Sequence, residues 1–454
     1  MKNQPPHSQW ASRLGFIMVA AGASVGLGNL QRFPQMVSQG GGAAFVAVYL
    51  ICVLALGLPL LCLEFVLGRG AGTQPAQFAS ALIPGRDEIR KWNLIGLLGV
   101  LTAFSIYTYY SVNVAWTLIF AGFFALQQTP HFEQVASSLN LVLPGFCVVH
   151  LVSFLIVRRG LQRGVEACSK FLMPILLVLV LFLGVCAYNF VGWSAGMAFY
   201  LRPDWSLISS QTWILALSQA FFSLCIGEAV MLSFGASTPK KENLFQSALL
   251  IAFFDTFVAL SSRCILFPAL FSSPGVDPGL SAQPGFIFHI MPLVFQGLQG
   301  GNGLAFLFFL VLAFAGLTTC IALMEMPVQY LVGSWGLPRK RAAASVWVAA
   351  LIIGLPSLLS HGVHEGLSQM TFAGIPARGV HALMDFVWGG LAMVIVGLLL
   401  TLFAGWVWGR QAMEDEFRLG LEKWRCLATP WACYTQYVLP LLILAVLWSF
   451  FAGV

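Results

Sequence analysis

Gly22-Ala23-Ser24-Val25-Gly26-Leu27-Gly28-Asn29-Leu30-Gln31-Arg32-Phe33-Pro34 lies in the middle of the first hydrophobic segment. Gly22, Gly26 and Gly28 make a poor continuous helix, because each glycine costs up to about 1 kcal/mol relative to Ala. Inside a bilayer an unpaired backbone group costs several kcal/mol, so a broken helix survives only where protein or a wet cavity receives its polar atoms. The stretch predicts a discontinuous membrane helix whose loosened turn binds something small and charged.

Composition supplies the setting. The chain has 454 residues, 59% hydrophobic and 9% charged, with a mean hydropathy of +0.85. A soluble protein carries roughly 25% charged residues. A helical span takes about 20 apolar residues, and the stretches between charge clusters suffice for about eleven. The net charge of +6 would admit nucleic acid as a partner, but its distribution argues against that. Most Lys and Arg residues fall on one side of an eleven-span arrangement, at Lys2, Arg13, Arg69 and in short connectors near residues 86–91, 158–170, 240–241, 339–341 and 410–425. The opposite connectors hold only Arg202. This positive-inside bias predicts a cytoplasmic N-terminus and an outer C-terminus, with the lipid bilayer as partner and no nucleic acid. The ten cysteines show no CxxC spacing, so neither a disulfide framework nor a zinc site is indicated. The first segment lacks a short apolar core with a cleavage site and reads as a retained span.

In chain order, span 1 (about 12–38) breaks at Gly22–Gly28 and span 2 (about 41–70) contains Pro59 and Glu64. Span 3 (about 92–126) carries Tyr107, Tyr109 and Tyr110. Spans 4 (140–157) and 5 (169–190) flank a basic loop. Gly164 and Pro174 bracket the start of span 5, where a flexible residue and a missing helical hydrogen bond would let this end open. Span 6 (about 211–238) places Ser223-Leu224-Cys225-Ile226-Gly227-Glu228 where a plain span would be apolar. Span 7 (about 243–270) contains Asp255 and Arg263, and an outer loop with Pro274, Pro278, Pro284 and Pro292 follows. Span 8 (about 303–332) holds Ala315 to Cys320, Glu325 and Pro327; span 9 is about 341–358, span 10 (about 378–408) contains Asp385, and span 11 is about 431–452. Spans 1 and 6 are both interrupted, five spans apart, and an odd number of spans per repeat inverts the second repeat. Such a matched pair points to a transporter site near the midplane between inverted repeats. One transmembrane domain is expected over 1–454, with a first repeat at 1–190, a second at 205–408 and an eleventh helix at 425–454.

Arg32, Glu64, Glu228, Asp255, Arg263, Glu325 and Asp385 fall within spans. Each costs at least about 2.5–3.5 kcal/mol on insertion scales and needs a partner or a water path. Together they predict a polar pathway, although any single one could belong to a structural pair. Thr318 and Thr319 could offer hydroxyl oxygens to a hard cation such as Na⁺, beside carbonyls freed at Gly22 and Val25; adjacent threonines also back-bond to their own helix. Tyr110 and Phe222 could close over a cargo or simply pack. Gly192-Trp193-Ser194-Ala195-Gly196 matches the esterase GxSxG pattern but lies in an outer connector without a strand–turn–helix setting. The glycines of span 1 lack a Walker lysine. With no metal cluster, triad context or nucleotide cradle, nothing indicates an enzyme.

The runs WASRLGFIMVAAGASVGLGNLQRFP, QGGGAAF, SQAFFSLCIGEA and FAGLTTCIALME resemble the neurotransmitter:sodium symporters, and the resemblance extends from Trp10 to about Trp448. It implies an all-α polytopic membrane protein with a LeuT-like five-plus-five inverted repeat, broken helices 1 and 6, and eleven transmembrane helices. By position, the first of two sodium ions would use Ser24, Asn29, Ser223 and Asp255. The second would use carbonyls of Gly22, Val25 and Ala315 with the hydroxyls of Thr318 and Thr319. Substrate would lie against Ala23, Ser24, Leu27, Gly28, Ile106, Tyr110, Phe222, Ser223, Cys225, Glu228, Thr319 and Leu323. The half-helix N-terminus after the break, with the Tyr110 hydroxyl, would hold a carboxylate. Arg32 and Asp385 resemble the outer gate pair, with Gln219 beside them and Tyr110 and Phe222 as the closing aromatics. The Gly164 to Pro174 spacing matches a family motif whose unwinding is linked to inward release of sodium.

Amine-transporting members carry an Asp where this chain has Gly26, which favours an amino acid as substrate. Asp255 stands where many members have Asn, and Ala259 lacks the hydroxyl typical of chloride-dependent members, so chloride-independent transport is expected. Glu228 replaces a usually apolar pocket residue; it could pair with a polar or cationic group of the substrate, carry a coupled proton, or stay protonated within span 6. At the inner gate, His7 occupies a position usually Arg and Gly333 one usually acidic. Arg263 sits where a small residue is usual. The expectation is sodium-coupled symport of an amino acid by alternating access across the inner (plasma) membrane of a prokaryote, with no obligate protein partner. A proton-coupled amino-acid or amine carrier using Glu228 and Asp255, and a non-transporting membrane sensor of the same fold, are the alternatives.

Overall fold

The computed structural model describes residues 9–272, 285–372 and 375–452. Nearly all of these are helical, as expected of a chain that must satisfy its backbone within each segment when it meets hydrocarbon. Among them nine helices are long and apolar enough to cross a membrane. They are span 2 (Ala43–Ala71), span 3 (Asp87–Ala125), span 4 (Leu139–Val157), span 5 (Leu161–Tyr188), span 7 (Leu244–Phe271), span 8 (Gly301–Trp335), span 9 (Arg339–Leu359), span 10 (Val380–Arg418) and span 11 (Trp424–Phe450). Span 1 is the pair Arg13–Ser24 and Gly28–Gln39, bent by 48°. A second interrupted pair, Ser210–Ser223 and Val230–Ala236, holds the place of span 6 and makes the arrangement compatible with eleven.

Short polar side chains set the helix starts. Ser12 accepts from the Gly15 amide at 3.0 Å, Ser209 and Thr212 cap each other's backbone, and Asn243 accepts from the Gln246 amide at 2.9 Å. Two boundaries depart from expectation. Span 5 begins at Leu161 rather than near 169, because charges that read as loop are buried in contacts: Glu166 accepts from the Ala11 amide at 2.9 Å and from Lys170 at 2.6 Å. Span 10 continues to Arg418, because its amphipathic end offers Glu416 to the buried Arg69 at 2.7 Å. In the outer loop Pro274, Pro278 and Pro284 lie outside the described residues, and Phe286–His289 and Met291–Gln296 form short helices. Gly192 precedes the helix Trp193–Leu201, with no strand beside it among the described residues. Among the described residues the strands are confined to one hairpin, Thr371–Phe372 with Ile375–Arg378.

Span 3 packs along span 8, span 1 lies against spans 5, 7 and 8, and the half-helix Val230–Ala236 packs on the Leu58–Ala71 half of span 2. The two interrupted helices therefore sit at the centre, enclosed by intact ones.

Candidate functional site

At the first break the Val25 amide still donates to the Ala21 carbonyl at 2.7 Å, and then the helical ladder stops. The Leu27 amide instead donates to the Tyr110 hydroxyl of span 3 at 2.8 Å. A Cβ on Gly26 would stand 2.8 Å from both the Tyr110 hydroxyl and Thr319 Oγ1, closer than real side chains approach. No side chain fits at residue 26 while those two groups stay where they are.

The second break is made by left-handed residues. Cys225 (φ 50°), Gly227 (φ 82°) and Ala229 (φ 59°) interrupt the helix. For Cys225 and Ala229 this conformation costs about 1–2 kcal/mol each. Glu64 of span 2, fully buried, receives the Gly227 amide at 2.7 Å and the Leu232 amide at 3.3 Å. Its carboxylate thus caps the start of the half-helix Val230–Ala236, where a negative charge is favoured.

Between the two breaks lies a buried polar knot. Asn29 donates to Asp255 Oδ1, while the Ser223 hydroxyl lies 2.6 Å from Asn29 Oδ1 and against the other oxygen of Asp255, its single proton shared between the two. Tyr49 reaches Ser223 at 3.3 Å. Ser24, expected in this group, turns its hydroxyl to the Ala20 carbonyl at 3.0 Å. On span 8, Thr318 bonds to the carbonyl of Ala315 at 2.8 Å and Thr319 bonds across to that of Ala23 at 2.9 Å. A Cβ on Gly22 would lie 3.5 Å from Thr318 Cβ, so Gly22, Ala315 and both threonines are neighbours, with Val25 one turn on. Both places offer neutral oxygens, and the first adds one carboxylate; hard monovalent or divalent cations prefer such oxygen sets.

All the residues expected to surround substrate, from Ala23 to Leu323, line one cavity of about 580 Å³. Its far wall includes Phe132, Phe288 and His361, which places its mouth at the connectors after spans 3, 7 and 9. Arg32 and Asp385 both line it, but no ion pair joins them among the described residues. The Arg32 guanidinium lies 3.8 Å over the Phe222 ring, and Asp385 takes the Tyr109 hydroxyl at 3.0 Å. Gln219 reaches the Gly28 carbonyl at 3.4 Å. At the mouth, burial and the neighbouring His381 push His361 down to about 2.

The opposite end is shut. Trp10 donates to the Phe234 carbonyl at 3.0 Å and packs on the Phe16 and Phe234 rings, while Arg13 pairs with Glu242 at 2.9 Å. His7 lies outside the described residues, and Gly333 faces Gln74 rather than a charge. The segment bearing Gly164 is wound, and Pro174 lies one helix along.

Three residues gained roles that the sequence did not assign. Arg263, wholly buried, donates to the Asn29 carbonyl and to Ser262 and lies 4.4 Å over the Phe33 ring, so it receives backbone freed just past the first break. Glu64 caps the second break. Glu166 ties the Gly164 segment to the start of span 1. Their intramembrane or loop charges were visible, but their backbone partners are distant in sequence.

Two interrupted helices, five spans apart, that meet around a cavity beneath a one-sided mouth define a secondary transporter of the broken-helix class. The family model for the sodium:neurotransmitter symporters matches residues 7–141 and 123–452, and the chain belongs to that family. It is 30% identical to the uncharacterised sodium-dependent transporter YhdH of Bacillus subtilis and 28% identical to an uncharacterised sodium-dependent transporter of Haemophilus influenzae, in each case over 98% of both chains. The crystal structure of MhsT in complex with L-phenylalanine matches with a TM-score of 0.86 and 32% identity, over 98% of this chain and 100% of that one. The protein is a sodium-dependent multi-span membrane transporter with the LeuT-like fold, and not an enzyme.

Proposed function

We propose that the protein is a chloride-independent symporter that couples the entry of an amino acid to two sodium ions by alternating access. The observation that carries this reading is the approach of Tyr110 and Thr319 to Gly26. It leaves no room for a side-chain carboxylate of the protein's own, so a cargo would have to bring one to the Leu27 amide and the Tyr110 hydroxyl. The relative bound to L-phenylalanine supports an amino acid as that cargo.

One sodium ion would bind at Ser24, Asn29, Ser223 and Asp255, and the other at Gly22, Val25, Ala315, Thr318 and Thr319. Because the first set lies on three different spans, an ion there would draw the broken helices together. A ligand shifts a conformational equilibrium only through its differential affinity for the states, and such bridging sites supply it. The Asp255 carboxylate would stand in for the charge of a chloride ion. Arg32 and Asp385 would pair on closure, and Gly164 with Pro174 would let span 5 unwind for release inward. The repeats would divide at 1–190 and 205–408. The excess of basic residues in the connectors supports a cytoplasmic position for the sealed end with Trp10, so the cavity would face outward, in the inner (plasma) membrane.

Equilibrium binding tests this: purified protein should be stabilised against heating by amino acids in sodium and not in potassium. Equal stabilisation in both salts would contradict it. A proton-coupled reading draws on the unpartnered Glu228 and would show itself as uptake driven by a pH gradient without sodium.

A further inference from the structure

We propose that the amino acid carried here bears a second, cationic group on its side chain, and that Glu228 is the residue that selects it. This rests on reading the cavity as an amino-acid site. Glu228 lies at the end of the second break, is 5% exposed and lines the cavity. Its Oε2 is buried without a partner, and it makes no ion pair among the described residues. The charged group that acts on it is another carboxylate, Glu64, whose oxygens are already taken by the Gly227 and Leu232 amides.

Nor does the cavity supply a cation from elsewhere. Arg32 is spread over Phe222, and the remaining acid, Asp385, is held by Tyr109. Apart from the histidines His361 and His381, the carboxyl and basic side chains lining the cavity are Glu228, Asp385 and Arg32, and Arg32 is engaged. An isolated carboxylate in such surroundings is costly unless it is paired. A carboxylate at the wall of a transport cavity with no base beside it among the described residues would be paired when its partner arrives with the cargo. Ile106 and Leu323 line the same cavity and would cover a methylene stem, as apolar surface does for the stems of Lys and Arg. The class is an α-amino acid with a side-chain ammonium or guanidinium.

Counterflow in proteoliposomes with equal sodium on both sides tests the assignment, using L-lysine against L-norleucine, which matches its stem but lacks the ammonium. The wild type should exchange lysine with at least tenfold higher apparent affinity than norleucine, and Glu228→Gln should lose that preference while still exchanging norleucine. Preference of the wild type for norleucine, L-leucine or L-threonine over lysine would overturn the proposal and leave amino-acid transport standing. Exchange of no amino acid at all would overturn both. The wild-type comparison decides the matter even if Glu228→Gln does not fold.

Discussion

Glu64→Gln isolates what holds the second break in place. In the native chain both carboxylate oxygens accept backbone amides, Gly227 at 2.7 Å and Leu232 at 3.3 Å, in a site with no solvent exposure. Glutamine keeps one carbonyl oxygen, which would retain the shorter bond, and turns an NH₂ toward the Leu232 amide. One buried donor is then left unsatisfied, at a cost of about 1–3 kcal/mol. Glu64→Leu orphans both amides and should cost roughly 2–6 kcal/mol. Domains of 150–250 residues lose about 2–4 °C per kcal/mol, and a chain of this size sits at the lower end. The apparent melting temperature should therefore fall by roughly 2–6 °C for Glu64→Gln and about twice that for Glu64→Leu. A thiol-reactive fluorophore is a suitable probe, because Cys52, Cys62 and Cys320 are free and buried until the bundle opens. If Glu64→Leu melts within about 1 °C of wild type and binds substrate equally well, the capping account of span 6 is wrong.

Other perturbations probe the remaining parts. Gly15→Ala would place a Cβ 1.8 Å from Glu166 Oε1 and push that side chain off the Ala11 amide and Ser12. Losing about 1.5–3 kcal/mol of charge-assisted bonding should raise the inward-open fraction by an order of magnitude or more, read as faster hydrogen exchange over residues 9–24; unchanged exchange would count against the inner seal. Asp255→Asn removes a charge that at about 4 Å is worth roughly 4 kcal/mol to a sodium ion. The half-saturating sodium concentration should rise at least tenfold, with partial recovery in chloride, whereas a chloride requirement in the wild type would sink the substitution argument. His361 is held at about 2 against an ordinary 6.5, so its neutral form contributes stability that is full above pH 6.5 and is lost as pH falls below it. The loss is at most about 1.4 kcal/mol per pH unit, and His361→Gln should flatten the fall in melting temperature between pH 7.5 and 5; an identical slope would show that His361 is charged without penalty.

What was legible in the sequence was whatever local chemistry decides. Glycines at 22, 26 and 28 announced the first break, and the polar run from Ser223 to Glu228 announced the second. The family resemblance gathered Asn29, Ser223 and Asp255, which the structure joins in one hydrogen-bonded knot. The partners of Glu64, Glu166 and Arg263 were not legible, because backbone amides and carbonyls carry no sequence signature. An intramembrane charge shows that a partner must exist but not that the partner is the main chain of a broken helix. Arg32 illustrates a second limit: it was expected to face Asp385, yet it covers Phe222. Which neighbour such a residue touches depends on the conformation of the chain, and sequence specifies the set of neighbours rather than the state.

On the proposed function, sodium binding would drive amino-acid entry through this cavity. Proteoliposomes loaded with potassium and diluted into sodium should accumulate labelled amino acid above equilibrium, and dissipating the sodium gradient with an ionophore should abolish the accumulation. Accumulation that persists without a sodium gradient, or that follows an imposed pH gradient alone, would contradict the account.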